Sequence, residues 1–349
     1  MLRRRRRIAE MRPRSRRLAL AALLCLAAAP GLWWRVAAPY GEPTGNLSIE
    51  PLPIELSRSG ENGLAVAGAW LLRSDDRRFS GYSALVIRDD GRLRAYSDAN
   101  WWLEFNRPDR SLAPAARFGV VPGYESRGHN DLEAAAHDAA SGVTWLAFEN
   151  LNSIRRIGPE NGDAVSATPP AMAGFRNNGG TETMVRLADG RFVVIAESGE
   201  WRRPLRRAAL LFARDPVADP RATAFAFNSP AGLDPTDAAL LPDGRVLILM
   251  RGLAPDGWPP FKSKLLVADP ADIRPGAAWP WQEVADLSGL IPRENYEGLA
   301  VARGESGLEL WLISDANRSV LMQRTLLVKL VWNEPASAGA RLRRPAPPS

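Results

Sequence analysis

From Tyr82 the chain reads YSALVIRDDGRLRAYSDAN, and the same pattern returns four more times. The later copies are NDLEAAAHDAASGVTWLAFEN from Asn130, TETMVRLADGRFVVIAES from Thr181, PTDAALLPDGRVLILMRG from Pro235 and NYEGLAVARGESGLELWLISDAN from Asn295. Each copy is a short apolar run, a turn containing Gly, and a second apolar run that usually stops at Asp or Glu. The anchors Ser83, Glu133, Glu182, Asp237 and Glu297 recur every about 50 to 60 residues, and a strand-built repeat of that period predicts a β-propeller. The expected fold is all-β, a single propeller of five or six blades, the sixth requiring the region 47–79.

Ring closure is readable at the two ends of the repeats. Residues 47–56 alternate apolar and polar, with Pro51 and Pro53 confining that strand to an edge or to strand ends. SVLMQRTLLVKLVW, from Ser319, is a strong strand with no partner after it. The 47–56 strand is therefore expected to pair with it and complete the last blade, which removes two bare edges. The aromatic residues Trp101, Trp102, Trp258, Trp279 and Trp281 are expected to pack at blade edges.

The formal charge of +6 is uneven. Ten arginines fall among residues 1–38 against one acid, Glu10; taking these from 45 basic and 39 acidic side chains leaves 35 and 38. The remainder is close to neutral, which gives no support to nucleic-acid binding. The arginines precede the apolar run Leu18 to Trp34, an export-signal pattern. Residues 1–38 thus read as an export signal or an N-terminal anchor over 18–38, residues 39–335 as the propeller, and 336–349 as a disordered tail. The expected location is periplasmic or secreted, with membrane contact only through that N-terminal segment, and the expected state is a monomer. Cys25, the one cysteine, lies in the leader, so the propeller has no disulfide, thiolate zinc site or cysteine nucleophile. Gly-x-Ser-x-Gly elbows, Walker loops and dinucleotide fingerprints are absent from the sequence.

The acids carry the functional reading. Motif starts supply Asp131, Glu133, Glu182, Asp237 and Glu297, and motif ends supply Asp98, Glu149, Glu197 and Asp315. Strands of a blade alternate in direction, so both sets belong on one face of the disc. Carboxylates gathered there repel unless a cation neutralises them. Oxygen donors without cysteine favour a hard cation, Ca2+ before Mg2+ or Mn2+. The other role open to each acid is to bond backbone amides between blades. His129, directly before a motif acid, could be a ligand or proton carrier; His137 sits at its hairpin turn and is expected to be solvated.

SGYSALVIRDDGRLRAYSD, NDLE, NNGGTE, PTDAALLPDGRVLILMR, NYEGLAV, SDAN and QRTLL, in that order, resemble the phytase-like ("esterase-like activity of phytase") β-propeller family of exported bacterial proteins. The resemblance covers about residues 60–332. It implies a propeller and, by the family's name, hydrolysis of a small-molecule ester or phosphate ester, with no organic cofactor. Its motif positions here are Asp98, Asp131, Glu133, Glu149, Glu182, Glu197, Asp237, Arg251, Glu297, Asp315 and Asn317. On that basis Arg251, Glu182, Glu297 and His129 are the catalytic candidates, and the acids with Asn317 the candidate metal ligands. Arg251 would orient ester oxygens, with Arg318 and Arg324 behind it, or else form an ion pair between blades. The chain departs from the family at Met250, where Glu is more usual, and at His129. A non-catalytic propeller binding a glycan, metabolite or protein, and a lactonase-like metal propeller, remain alternative functions.

Overall fold

The computed structural model describes residues 43–54, 59–123, 131–176, 179–200, 203–316 and 323–333. The leader, the tail, His129, Asn317 and Arg318 lie outside the described residues. No helix among the described residues is long and apolar enough to cross a membrane.

Among the described residues twenty-two strands form five blades, antiparallel apart from one short pair. The last blade holds the two most N-terminal strands, β1 (Ser48–Pro51) and β2 (Leu64–Arg73). The first blade is β3 (Tyr82–Ile87), β4 (Leu93–Ser97), β5 (Trp101–Phe105) and β6 (Arg117–Val120). The second is β7 (Leu132–Asp138), β8 (Val143–Phe148), β9 (Ser153–Ile157) and β10 (Ala164–Ala167). The third is β11 (Thr181–Arg186), β12 (Phe192–Glu200), β13 (Arg203–Phe212) and β14 (Ala222–Asn228). The fourth is β15 (Asp234–Leu240), β16 (Val246–Leu253), β17 (Phe261–Ala268) and, after the short β18 (Ala278–Trp279), β19 (Gln282–Asp286). β18 pairs in parallel with β14, so a connection of the fourth blade adds a strand to the third. The fifth blade starts with β20 (Tyr296–Arg303), β21 (Leu308–Ser314) and β22 (Thr325–Trp332).

Closure differs from the sequence expectation in one respect. β2, not the 47–56 segment, pairs with β22, from Leu64↔Trp332 to Leu72↔Thr325. β1 pairs outside β2 in the same blade. The physical reason lies in the two strands. β2 carries buried Leu64, Val66, Ala69, Trp70, Leu71 and Leu72, and the Trp70 ring stacks on Trp311 at 5.8 Å. β1 is short and ends at Pro51, which fits only an edge. Region 47–79 therefore completes the fifth blade, and no sixth exists among the described residues.

Each of the five interfaces between blades has its own apolar cluster, and the innermost strands β3, β7, β11, β15 and β20 touch in a closed ring. Trp279 is packed in the cluster between the third and fourth blades, whereas Trp258 is 67% exposed and does not pack as expected. The pairing between the first and second strand of every blade slips by one residue near its start, a β-bulge repeated five times. A bulge leaves one residue unpaired and re-aims it. This device builds the site.

Candidate functional site

The bulged residues are Ser83, Glu133, Glu182, Thr236 and Glu297. In four blades these are the anchors read from sequence; in the fourth the equivalent is Thr236, not Asp237. The main-chain pairing confirms the offset. Asp98, Glu149, Glu197 and Asp315 donate their N–H to Gly81, Asp131, Gly180 and Asn295, each two residues before the bulge, all at 2.8 Å. In the fourth blade Arg251 pairs with Asp234, again two residues before Thr236. Starts and ends of neighbouring strands thus share one face, and Arg251 stands where the other blades carry an acid.

Asp237 is turned away from this assembly. Its carboxylate accepts from the N–H of Ala238 at 2.8 Å and of Leu299 at 2.7 Å, tying the fourth blade to the fifth. It is one residue past the bulge, and successive strand residues face opposite ways. The metal-ligand assignment for Asp237 is therefore corrected: it is an inter-blade tie. Thr236 is 1% exposed, and its hydroxyl lies 3.4 Å from the Tyr296 carbonyl.

The second and third blades bring the carboxylates together. Asp131, Glu133 and Glu149 each offer an oxygen within 4.8 Å of the others, and so do Glu149, Glu182 and Glu197. Glu149 belongs to both trios. Its Oε1 accepts from the N–H of Gly180 at 3.0 Å and from that of Gly179. Gly179 adopts φ +108, where a side chain would be strained, and this lets the Gly179 and Gly180 amides both turn toward Glu149. Asn150 Nδ2 donates to Asp131 Oδ2 at 3.4 Å.

Glu297 and Arg251 complete the opposite side. Arg251 Nη2 donates to Glu297 Oε1 at 2.8 Å, and Asn295 Nδ2 donates to the same oxygen at 2.7 Å. Arg251 is thus both an ion pair between the fourth and fifth blades and a cation at the acidic mouth. Arg324 is placed elsewhere, with Nε 2.7 Å from buried Glu294. Asp98 lies close enough to Glu297 to raise its carboxyl; Asp315 is buried at the end of β21.

Burial pushes the carboxyls of Glu133 and Glu182 well above the usual range. Neighbouring acids push the same way: Glu182, Glu297 and Asp131 around Glu133, and Glu197, Glu297 and Glu149 around Glu182. Burial also raises Glu149, Glu197 and Glu297; two glycine amides oppose it at Glu149, and Arg251 opposes it at Glu197 and Glu297. Such a cluster stores repulsion that protons or a cation must offset. All-oxygen donors at this spacing fit a hard divalent ion.

Beside Glu197 opens a cleft of about 310 Å³ lined by Arg176, Glu197, Ser198, Gly199, Pro204, Arg207 and Asp234. Arg207 is buried and bonded to Asp234 and to the Pro204 carbonyl. Sequence reasoning missed Arg176, Arg207 and Thr236. Only Thr236 left a signal: counted back from the turn glycine, it stands eight residues before Gly244, as Ser83 stands before Gly91 and Glu182 before Gly190.

The family model for phytase-like proteins, described as "esterase-like activity of phytase", matches residues 77–318. The chain belongs to that family. No curated protein sequence matches it. Among solved structures it is similar to the PQQ-bound aldose sugar dehydrogenase of Streptomyces coelicolor, at 15% identity and TM-score 0.42, over 83% of this chain and 99% of that one. A Bacteroides thetaiotaomicron protein of unknown function is similar at 12% identity and TM-score 0.45, over 84% and 74% respectively. A luciferin-regenerating enzyme is similar at 10% and 0.42, over 85% and 94%. These likenesses carry nothing about chemistry.

Proposed function

We propose that the acidic mouth is the centre of a cation-dependent hydrolase, Ca2+ being the first choice, acting on phosphate esters or other small esters outside the cytoplasm. The observation that supports this reading is the pair of carboxylate trios sharing Glu149, with the Arg251 guanidinium on the same mouth. Asp131, Glu133, Glu149, Glu182 and Glu197 would hold the cation. When bound, it supplies neutralisation of phosphate charge and a more acidic water. Arg251 offers an anionic ester the positive charge it needs to approach a ring of carboxylates. Glu297, fixed through Oε1 by Arg251 and Asn295, holds that guanidinium in place. The Arg176–Arg207 cleft adjoins Glu197 and gives room for the rest of the substrate. The N-terminal segment would export the domain or anchor it through residues 18–38, and the chain would act as a monomer.

A binding propeller without catalysis is the second reading. It is favoured by the Arg251–Glu297 bond, which makes both groups usable as an inter-blade strut. A screen of phytate, aryl phosphates, aryl esters and lactones, each in Ca2+, Mg2+ or EDTA, separates the two. Turnover in Ca2+ that EDTA abolishes supports the hydrolase; no turnover on any substrate favours the binder.

A further inference from the structure

The ring of innermost strands has a second end of different chemistry. Four residues past each bulge stand Ile87, His137, Arg186, Leu240 and Val301, all half-buried and all lining a cavity of about 290 Å³. At ~3.3 Å per strand residue this ring lies about 13 Å along the strands from the carboxylates. His137, expected at a solvated turn, is instead within β7 opposite Thr144 and faces this cavity. Its Nδ1 is 2.9 Å from the Thr144 hydroxyl and 3.4 Å from Arg88 Nη1. Burial, with Arg88 beside it, lowers His137 to about 4, so the ring is neutral at pH 7. With Nδ1 accepting from both neighbours, the ring proton sits on Nε2, which has no partner among the described residues.

Arg88 is the decisive residue. It is 7% exposed, lines the cavity, and lacks a hydrogen-bonded carboxylate among the described residues. Glu104, 3.9 Å from its Nε, is already bonded by Arg92 at 2.9 Å and by Arg94 at 2.6 and 2.9 Å. Asp89 is 3.7 Å away and half exposed. Arg186 reaches only 3.4 Å to Asp138, whose Oδ2 also accepts from Ser141. Four arginines (88, 92, 94 and 186) therefore meet three carboxylates (Asp89, Glu104 and Asp138), and the surplus is the nearly buried Arg88 beside the cavity. A buried charge without a bonded counter-charge is costly, and an anion in the cavity would remove that cost.

We propose that this mouth, lined by Arg88, Arg186 and His137, binds one small oxyanion, phosphate or a small carboxylate. The cavity is at the lower end of ligand-site sizes, which restricts the ligand to a small one. Small side chains at Ala135, Ala136, Ala238 and Ala239 keep the space open. This site is independent of the cation reading at the other mouth.

The test is calorimetric titration of the EDTA-treated full chain with inorganic phosphate, and separately with acetate. Phosphate should bind once per chain. If acetate competes, the site takes oxyanions generally; if it does not, the site selects the tetrahedral anion, and either result supports the proposal. Arg186→Gln should weaken phosphate at least tenfold, whereas Glu182→Gln at the acidic mouth should leave it unchanged. Arg88→Gln removes a nearly buried side chain and risks the fold, so Ala239→Leu, which fills the cavity and keeps every charge, is the companion variant and should weaken phosphate equally. No phosphate binding, or binding that both Arg186→Gln and Ala239→Leu leave intact, overturns the proposal.

Discussion

Replacing Glu182 by Gln tests the repulsion stored at the acidic mouth. The Glu182 carboxyl is raised in the folded chain by burial and by Glu197 and Glu297, so the folded state holds a proton that the unfolded chain releases. Its contribution to stability is complete below the unfolded carboxyl value and is lost as pH rises toward the raised folded one. Each such proton tilts stability by about 1.4 kcal/mol per pH unit, downward with rising pH. In EDTA, therefore, urea unfolding should show the wild type weakening from pH 5 to pH 7. Gln mimics the protonated side chain, so Glu182→Gln should flatten that slope by up to about 1.4 kcal/mol per pH unit. Across two units the variant should become more stable than wild type at pH 7, by on the order of 1–3 kcal/mol. Saturating Ca2+ should flatten the wild-type slope because the cation replaces the protons, and should move the variant less, because only the Asp131–Glu133–Glu149 trio is left whole. A variant less stable than wild type at pH 7 in EDTA, or a wild-type slope indifferent to Ca2+, would refute the reasoning.

Three other outcomes follow from particular contacts. Trp70→Ala should cost about 3–5 kcal/mol in urea unfolding, because it empties the closure seam against Trp311; a loss below about 1 kcal/mol would contradict closure through β2. Asp237→Ala leaves two buried backbone N–H groups unpaired and should destabilise by about 1–3 kcal/mol per group while Ca2+ affinity stays the same. Loss of Ca2+ binding in a stable Asp237→Ala chain would return that acid to the metal set. Arg251→Ala should lower phosphate-ester turnover per folded molecule far more than it lowers the melting temperature; the reverse pattern would make Arg251 a strut alone.

The repeats made the propeller and the shared face readable, because a turn glycine between two apolar runs repeats whatever else changes. Blade number and closure were less legible. β2 and the 47–56 segment both read as strands, and only the packing of Trp70 and its apolar neighbours decides which one meets β22. At the site, the shared face of motif starts and motif ends was legible, since strand direction alone fixes it. Asp237 is an acid at a motif start but not at the bulge, and the bulge that aims a side chain is defined by its distance from the turn. His137 looked like a turn residue because Asp138, Ala139 and Ala140 follow it; pairing with Thr144 instead extends the strand past it. Arg176 and Arg207 lie outside the repeat, and nothing local marks them as neighbours of Glu197.

Calcium titration of the EDTA-treated chain at pH 7 tests the cation centre most directly. The account predicts one or two bound ions per chain, with heat that vanishes in Glu149→Gln, because Glu149 belongs to both trios, and persists in Asp237→Ala. An absence of calcium heat in the wild type, or full binding in Glu149→Gln, would contradict it.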